Sequence, residues 1–258
     1  MTGHPNVDVA LAQFAGRDEK ELSQPWRFRD KPSEVRYALY HTLEDAQEIL
    51  VRLVALAHPE SRRILALAQR AFGELRGLLI GLPGDLLDRS PRDGEWSIRE
   101  TLRHIIVIEG RYAVQTHYAT ERADSDPIRV ADDRMPTPAQ IDVTGDVDAI
   151  LGRVRDVRAE TDRRLGHVPL AAMTRPTQWM QHDVDVRFRL HRFAAHMIEH
   201  TIQCEKTLAA LGWRMTEGRR IVRRLTGVLG EVEGYGGHAE AREIEQRLAE
   251  RAASATAA

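Results

Sequence analysis

Along most of the chain, apolar residues return every three or four positions, the interval of an amphipathic helix. The run SEVRYALYHTLEDAQEILVRLVALAH opens at Ser33, repeats Val35, Leu39, Leu43, Ala46, Leu50, Leu53 and Val54, and ends at His58-Pro59. SRRILALAQRAFGELRGLLIGL follows and is closed by Pro83-Gly84. A third helix is predicted from WSIRETLRHIIVIEGRYAVQTHYAT, where Ser97 and Glu100 have the spacing of a capping box. A fourth is expected over about 144–166 and a fifth from about Val186 to Leu211, stopped by Gly212. A sixth covers about 216–229, GEVEGYGG then breaks the chain, and HAEAREIEQRLAERA reads as a polar helix before an alanine-rich tail. Residues 1–32 read as mixed, with SQPWRFRDKP as loop, and residues 121–143 as a long polar connector. Strand alternation, an internal repeat and a glycine-rich phosphate loop are not recognised.

This pattern predicts an all-α protein. The four long helices between residues 61 and 211 form a four-helix bundle over 59–213, with helical extensions at 1–58 and 214–258. The chain of 258 residues can bury a sizeable core. Its 42% hydrophobic and 29% charged residues are ordinary for a globular protein. A formal net charge of −2 argues against a strongly basic nucleic-acid binder. The single cysteine, Cys204, excludes an intramolecular disulfide and a cysteine-rich zinc site. With no signal-peptide pattern and no apolar run of about 20 residues, a cytoplasmic protein without a membrane partner is expected.

The chemistry concentrates in the fifth helix, in HRFAAHMIEHTIQ. At about 100° per residue, His196 and His200 project about 40° apart, whereas His191 lies about 140° from His196. The pair borders an apolar arc of Leu190, Phe193, Met197, Cys204, Leu208 and Leu211, and His104 borders the apolar face of the third helix in the same way. Bundles place metal sites where such residues meet. Three imidazoles suit zinc first, with nickel or iron as alternatives, and leave a coordination position for water or substrate. The competing reading is that these are boundary histidines of an apolar face, or a surface pair, with no ligand role.

Other polar residues have simpler readings. Glu109 falls on the apolar arc and is expected to pair with an arginine of the next helix, or else to orient a ligand histidine. Ser97 and Glu100 cap a helix, Trp96 packs the bundle end, and Cys204 is a small core residue. Gln203, Arg189 and Lys206 are assigned to a solvated face, with lining the mouth of the site as the alternative; His182 and Asp183 lie in an irregular segment that can reach a bundle end. No general acid or other catalytic residue is identified.

Two segments carry a family resemblance. DGEWSIRETLRHIIVIEGRY resembles the Trp-Ser-x-x-Glu-x-Leu-x-His signature of the DinB-like metal-binding superfamily, and HRFAAHMIEHTIQCEKTLAALGW resembles its last bundle helix. The segment before them fits the family's first helix and loop, so the resemblance covers about residues 60–213. It implies a four-helix bundle with a divalent metal held by His104, His196 and His200. Relatives include thiol-dependent S-transferases and a mycothiol-dependent maleylpyruvate isomerase. The isomerase pattern has glutamate in place of the first histidine of the pair, so His196 favours the three-histidine branch. The function implied is a metal-dependent S-transferase or hydrolase acting on a small-molecule substrate through a bound water or a low-molecular-weight thiol. A non-catalytic metal-binding or stress-response scaffold is the alternative, and a homodimer is the assembly the resemblance suggests.

Overall fold

The structure is a computed structural model and describes residues 5–256. The predicted bundle is built from α4 (Glu60–Leu79), α6 (Ile98–Glu121), α7 (Val147–Leu165) and α8 (Val186–Ala210), with the short α5 (Gly84–Leu87) between the first two. Local chemistry fixes the helix starts. The Ser97 side chain accepts the Glu100 amide while the Glu100 carboxylate accepts the Ser97 amide, and Asp146 and Asp185 cap α7 and α8. The bundle core holds Leu75, Leu79, Leu102, Ile105, Ile150, Val154, Met197, Cys204 and Leu208. Glu109 donates its charge to this interior: it pairs at 2.5 Å with Arg158 of α7, which also holds Asp162 at 2.6 Å. Burial pushes the Glu109 carboxyl up against the opposing pull of Arg158. No described helix is long and apolar enough to cross a membrane.

The extensions differ from the sequence expectation in several ways. Residues 1–32 contain α1 (Pro5–Gly16), α2 (Glu19–Leu22) and the strand β1 (Pro25–Phe28), which pairs with β2 (Lys31–Glu34) before α3 (Arg36–Val54). A second hairpin, β3 (Pro176–Trp179) with β4 (His182–Asp185), precedes α8. Four-residue strands are too short to show alternation. The helix α9 (Glu217–Gly234) continues through Gly230 to Gly234, past the break expected from GEVEGYGG, and α10 (His238–Thr256) takes in the alanine-rich tail. Far from being polar throughout, α10 buries Ala241, Ile244, Leu248, Ala252 and Ala255 against residues of α1, α3 and α9 in one apolar cluster. The two extensions therefore close a second core between them.

That second core repeats the first, although the sequence alone shows no repeat. One constant offset in sequence carries the β1–β2 register, Pro25 to Glu34 and Phe28 to Lys31, onto the β3–β4 register, Pro176 to Asp185 and Trp179 to His182. The same offset carries the bond from the Val35 amide to the Gln24 carbonyl onto that from Val186 to Arg175. The next residues, Arg36 and Arg187, each reach the first residue of a long helix: Glu217 of α9 at 2.9 Å and Glu60 of α4 at 2.6 Å. So α3 corresponds to α8, and α9 to α4. Arg251 of α10 touches Phe28, Thr42 and Asp45 as Tyr112 of α6 touches Trp179, Phe193 and His196. Thus α10 corresponds to α6, and α1 takes the place of α7.

The two bundles meet where α4 crosses α9. A side chain at Gly73 would overlap the Thr226 carbonyl, and one at Gly230 would overlap the carbonyl of Gln69. Glycine inside a helix costs about 1 kcal/mol relative to alanine; here it permits backbone-to-backbone packing on both sides of the crossing. Each contact is the mirror role of the other, as at a two-fold interface between identical subunits.

Candidate metal centre

His104 comes from the second turn of α6, where the capping box and the buried Ile98, Leu102 and Ile105 fix the rotation of the helix. His196 and His200 come from successive turns of α8, whose face is set by Leu190, Phe193, Met197, Cys204 and Leu208. The three rings meet. His196 Nε2 lies 3.2 Å from His104 Nε2 and 3.0 Å from His200 Nε2. One ligand atom from each lies within 4.8 Å of the others. His196 and His200 are buried and His104 is half-buried. Burial holds His196 down at about 3, with help from the neighbouring His200 and His104, and lowers His104 as well. Such imidazoles are neutral at ordinary pH, the form in which a ring nitrogen is a metal ligand.

Surrounding residues orient the set. Gln203 Oε1 lies 2.7 Å from His200 Nδ1, which fixes the ring with Nδ1 as donor and leaves Nε2 to face its partners. Gln203 is thus not simply a solvated-face residue. Trp96 packs its ring 5.0 Å from His104, and Tyr112 meets His196 edge-on at 5.5 Å. A cavity of about 850 Å³ opens beside the site, lined by Arg92, Trp96, Glu199, His200, Gln203 and Lys206. The exposed Lys206 faces it.

The remaining sequence candidates fall elsewhere. His191 is exposed on another face of α8. His182 and Asp183 lie exposed in β4, with His182 stacked on Trp179, and neither joins the triad. Glu109 is an arginine partner. Cys204 is a buried free thiol pushed up to about 12 by burial, hence a core residue. The connector 121–143 is strapped to α6: Gln115 donates to the Ile128 carbonyl and accepts from the Val130 amide, and Arg111 donates to the Pro136 carbonyl. Arg189 departs most from expectation. Only 4% of it is exposed, and burial pulls its guanidinium down to about 10. Its position seven residues before His196 on the same face of α8 was the available signal.

Comparison with known proteins agrees with this geometry. The sequence pattern of the DinB superfamily matches residues 67–204. The chain belongs to that superfamily. Among solved structures, the fold is similar to YfiT from Bacillus subtilis, described as a probable metal-dependent hydrolase with an unusual four-helix bundle topology. The two are 13% identical, with a TM-score of 0.50, over 62% of this chain and 92% of that one. No curated protein matches the chain.

Proposed function

We propose that the chain is a metal-dependent enzyme in which His104, His196 and His200 hold one divalent cation, zinc before nickel or iron. The observation that carries this reading is the convergence of three Nε2 atoms, two of the contacts at 3.0 and 3.2 Å. Three converging imidazole nitrogens, with Gln203 orienting one ring so that its Nε2 is left as an acceptor, are the donor set and arrangement that hold such an ion. A cation there supplies Lewis acidity and makes a bound water or thiol a stronger nucleophile. The chain's own residues hold the ligand rings, with Trp96 and Tyr112 shielding two of them from water, and leave the approach from the cavity open. The reaction class is hydrolysis or S-transfer on a small molecule, with water or a low-molecular-weight thiol as the second reactant. The description of YfiT favours hydrolysis; the resemblance to thiol-dependent transferases favours S-transfer.

Elemental analysis of untagged protein is expected to give about one divalent ion per chain, falling to background in His196→Ala. Wild-type metal occupancy in that variant would overturn the ligand assignment. Turnover assays with ester substrates, and with several thiols against alkylating electrophiles, separate the two reactions; bound metal with no turnover in either would assign a binding scaffold instead.

A further inference from the structure

The face of α8 that carries the histidines carries two arginines one and two turns earlier, Arg192 and Arg189. Arg189 is buried, and its one hydrogen bond is a long one, from Nη1 to the Gln178 carbonyl at 3.4 Å. No carboxylate of the described residues lies within ion-pair distance of it. Of the other buried arginines, Arg158 is neutralised by Glu109 and Asp162 and Arg76 by Asp8 and Glu245, Arg122 is held by three backbone carbonyls, and Arg219 of α9 has the Ile80 carbonyl and the Trp213 face; Arg189 is the one of these beside the histidines. Arg192 has only the largely exposed Glu199, at 3.6 Å. Both guanidiniums lie on aromatic faces, Arg189 on Tyr112 at 4.6 Å and Arg192 on Trp179 at 4.7 Å. Tyr112 in turn meets the His196 ring at 5.5 Å, so one aromatic ring of α6 touches both Arg189 and the triad.

The repeated module provides a control. In the β1–β2–α3 unit the positions of Arg189 and Arg192 hold Ala38 and His41, and those of His196 and His200 hold Asp45 and Ile49. The hairpin and helix form equally well there, so the arginines are not required by the module's fold. A buried guanidinium without a counter-ion is costly, and Arg189 occurs only in the copy that also has the histidines.

We infer that Arg189, assisted by Arg192, binds the carboxylate of a small-molecule substrate whose other end reaches the metal centre. A planar guanidinium matches a carboxylate through two parallel hydrogen bonds, and stacking on Tyr112 presets its orientation. Arg189 and His196 are separated by about 10 Å along the helix axis, so the ligand is an extended organic acid rather than a compact anion. This assignment rests on the metal-centre reading only for the ligand's far end.

The test uses 6-mercaptohexanoate and its neutral analogue 6-mercaptohexanol. Calorimetric titration of the metal-free protein is expected to show the acid binding at least tenfold more tightly than the alcohol. That preference should shrink to within twofold in Arg189→Gln and persist in part in Arg189→Lys. Equal binding of the two probes by the wild type, no detectable binding of the acid, or an undiminished preference in Arg189→Gln would each overturn the subsite. A parallel titration of cobalt-loaded protein reads the thiolate-to-cobalt absorption band. An acid preference without any such band leaves the carboxylate subsite standing and removes only the reach of the ligand's far end to the metal; a band of equal affinity for both probes overturns the subsite and leaves the metal centre standing.

Discussion

The two bundles of this chain share a hairpin, a helix order and a crossing, yet differ in what they bury. The bundle of α4, α6, α7 and α8 encloses Glu109, Arg158, His196, His200 and Arg189; that of α1, α3, α9 and α10 fills corresponding positions largely with apolar groups. Matching the contacts of Arg251 to those of Tyr112 sets Leu248 opposite Glu109, Ile244 opposite Ile105 and Glu243 opposite His104. Asp45, in the place of His196, is held by Arg251 at 2.9 Å and Arg247 at 3.5 Å. One scaffold thus accommodates either a cluster of imidazoles or an ion pair at the same point. The fold fixes where side chains converge, and a few residues on two helices decide what that convergence does.

The largest contrast expected between the halves is in metal content. Asp45→Ala should leave it at the wild-type value by elemental analysis, whereas His196→Ala abolishes it; loss of metal in both would show that the bundles are not independent in this respect. Next in size is the charged interior. Glu109→Ala leaves Arg158 with Asp162 alone and is expected to cost about 3–5 kcal/mol in denaturant unfolding. Leu248→Ala, at the matching position, should cost about 2–5 kcal/mol for the cavity it leaves. Replacing Glu109, Arg158 and Asp162 together by apolar residues of similar volume should recover most of the Glu109→Ala loss; failure to recover it would mean that the ion cluster does more than fill space. At the seam, Gly230→Ala forces α4 and α9 apart and is expected to cost about 1–3 kcal/mol. A single unfolding transition that moves as a whole would show both bundles coupled through the crossing, and two transitions would show them separable. The smallest effect concerns Cys204, whose equivalent position in α3 is Leu53. With its thiol pushed up to about 12, it should stay protonated at pH 8 and react with a thiol reagent only at the rate of unfolding.

Much of the first bundle can be read in the sequence because its signals are local. Ser97 with Glu100 marks a helix start, Gly212 a stop, and the interval from His196 to His200 sets two imidazoles on one face. The meeting of His104 with that pair depends on helix packing, yet the edge of each apolar arc already indicates it. The second bundle is hidden for a different reason. Its helices come from opposite ends of the chain, so no contiguous segment displays it, and the repeated module keeps only scattered identities such as Pro25 with Pro176, Val35 with Val186 and Leu39 with Leu190. The hairpins are missed because Arg29, Asp30 and Met180 adopt left-handed backbone without the glycine that usually announces such turns. Arg189 is assigned to solvent because arginine usually is, and its burial beside the histidines without a nearby carboxylate is visible only in three dimensions.

The construction of the second core from both chain ends has a consequence for biosynthesis. On the ribosome α1 and α3 emerge well before their partners α9 and α10, while α6, α7 and α8 meet one another as they are made and α4 waits only for its crossing with α9. The apolar faces of α1 and α3 must wait while the whole histidine-bearing bundle is synthesised, which makes these two helices the natural client of a chaperone and that bundle the first to mature.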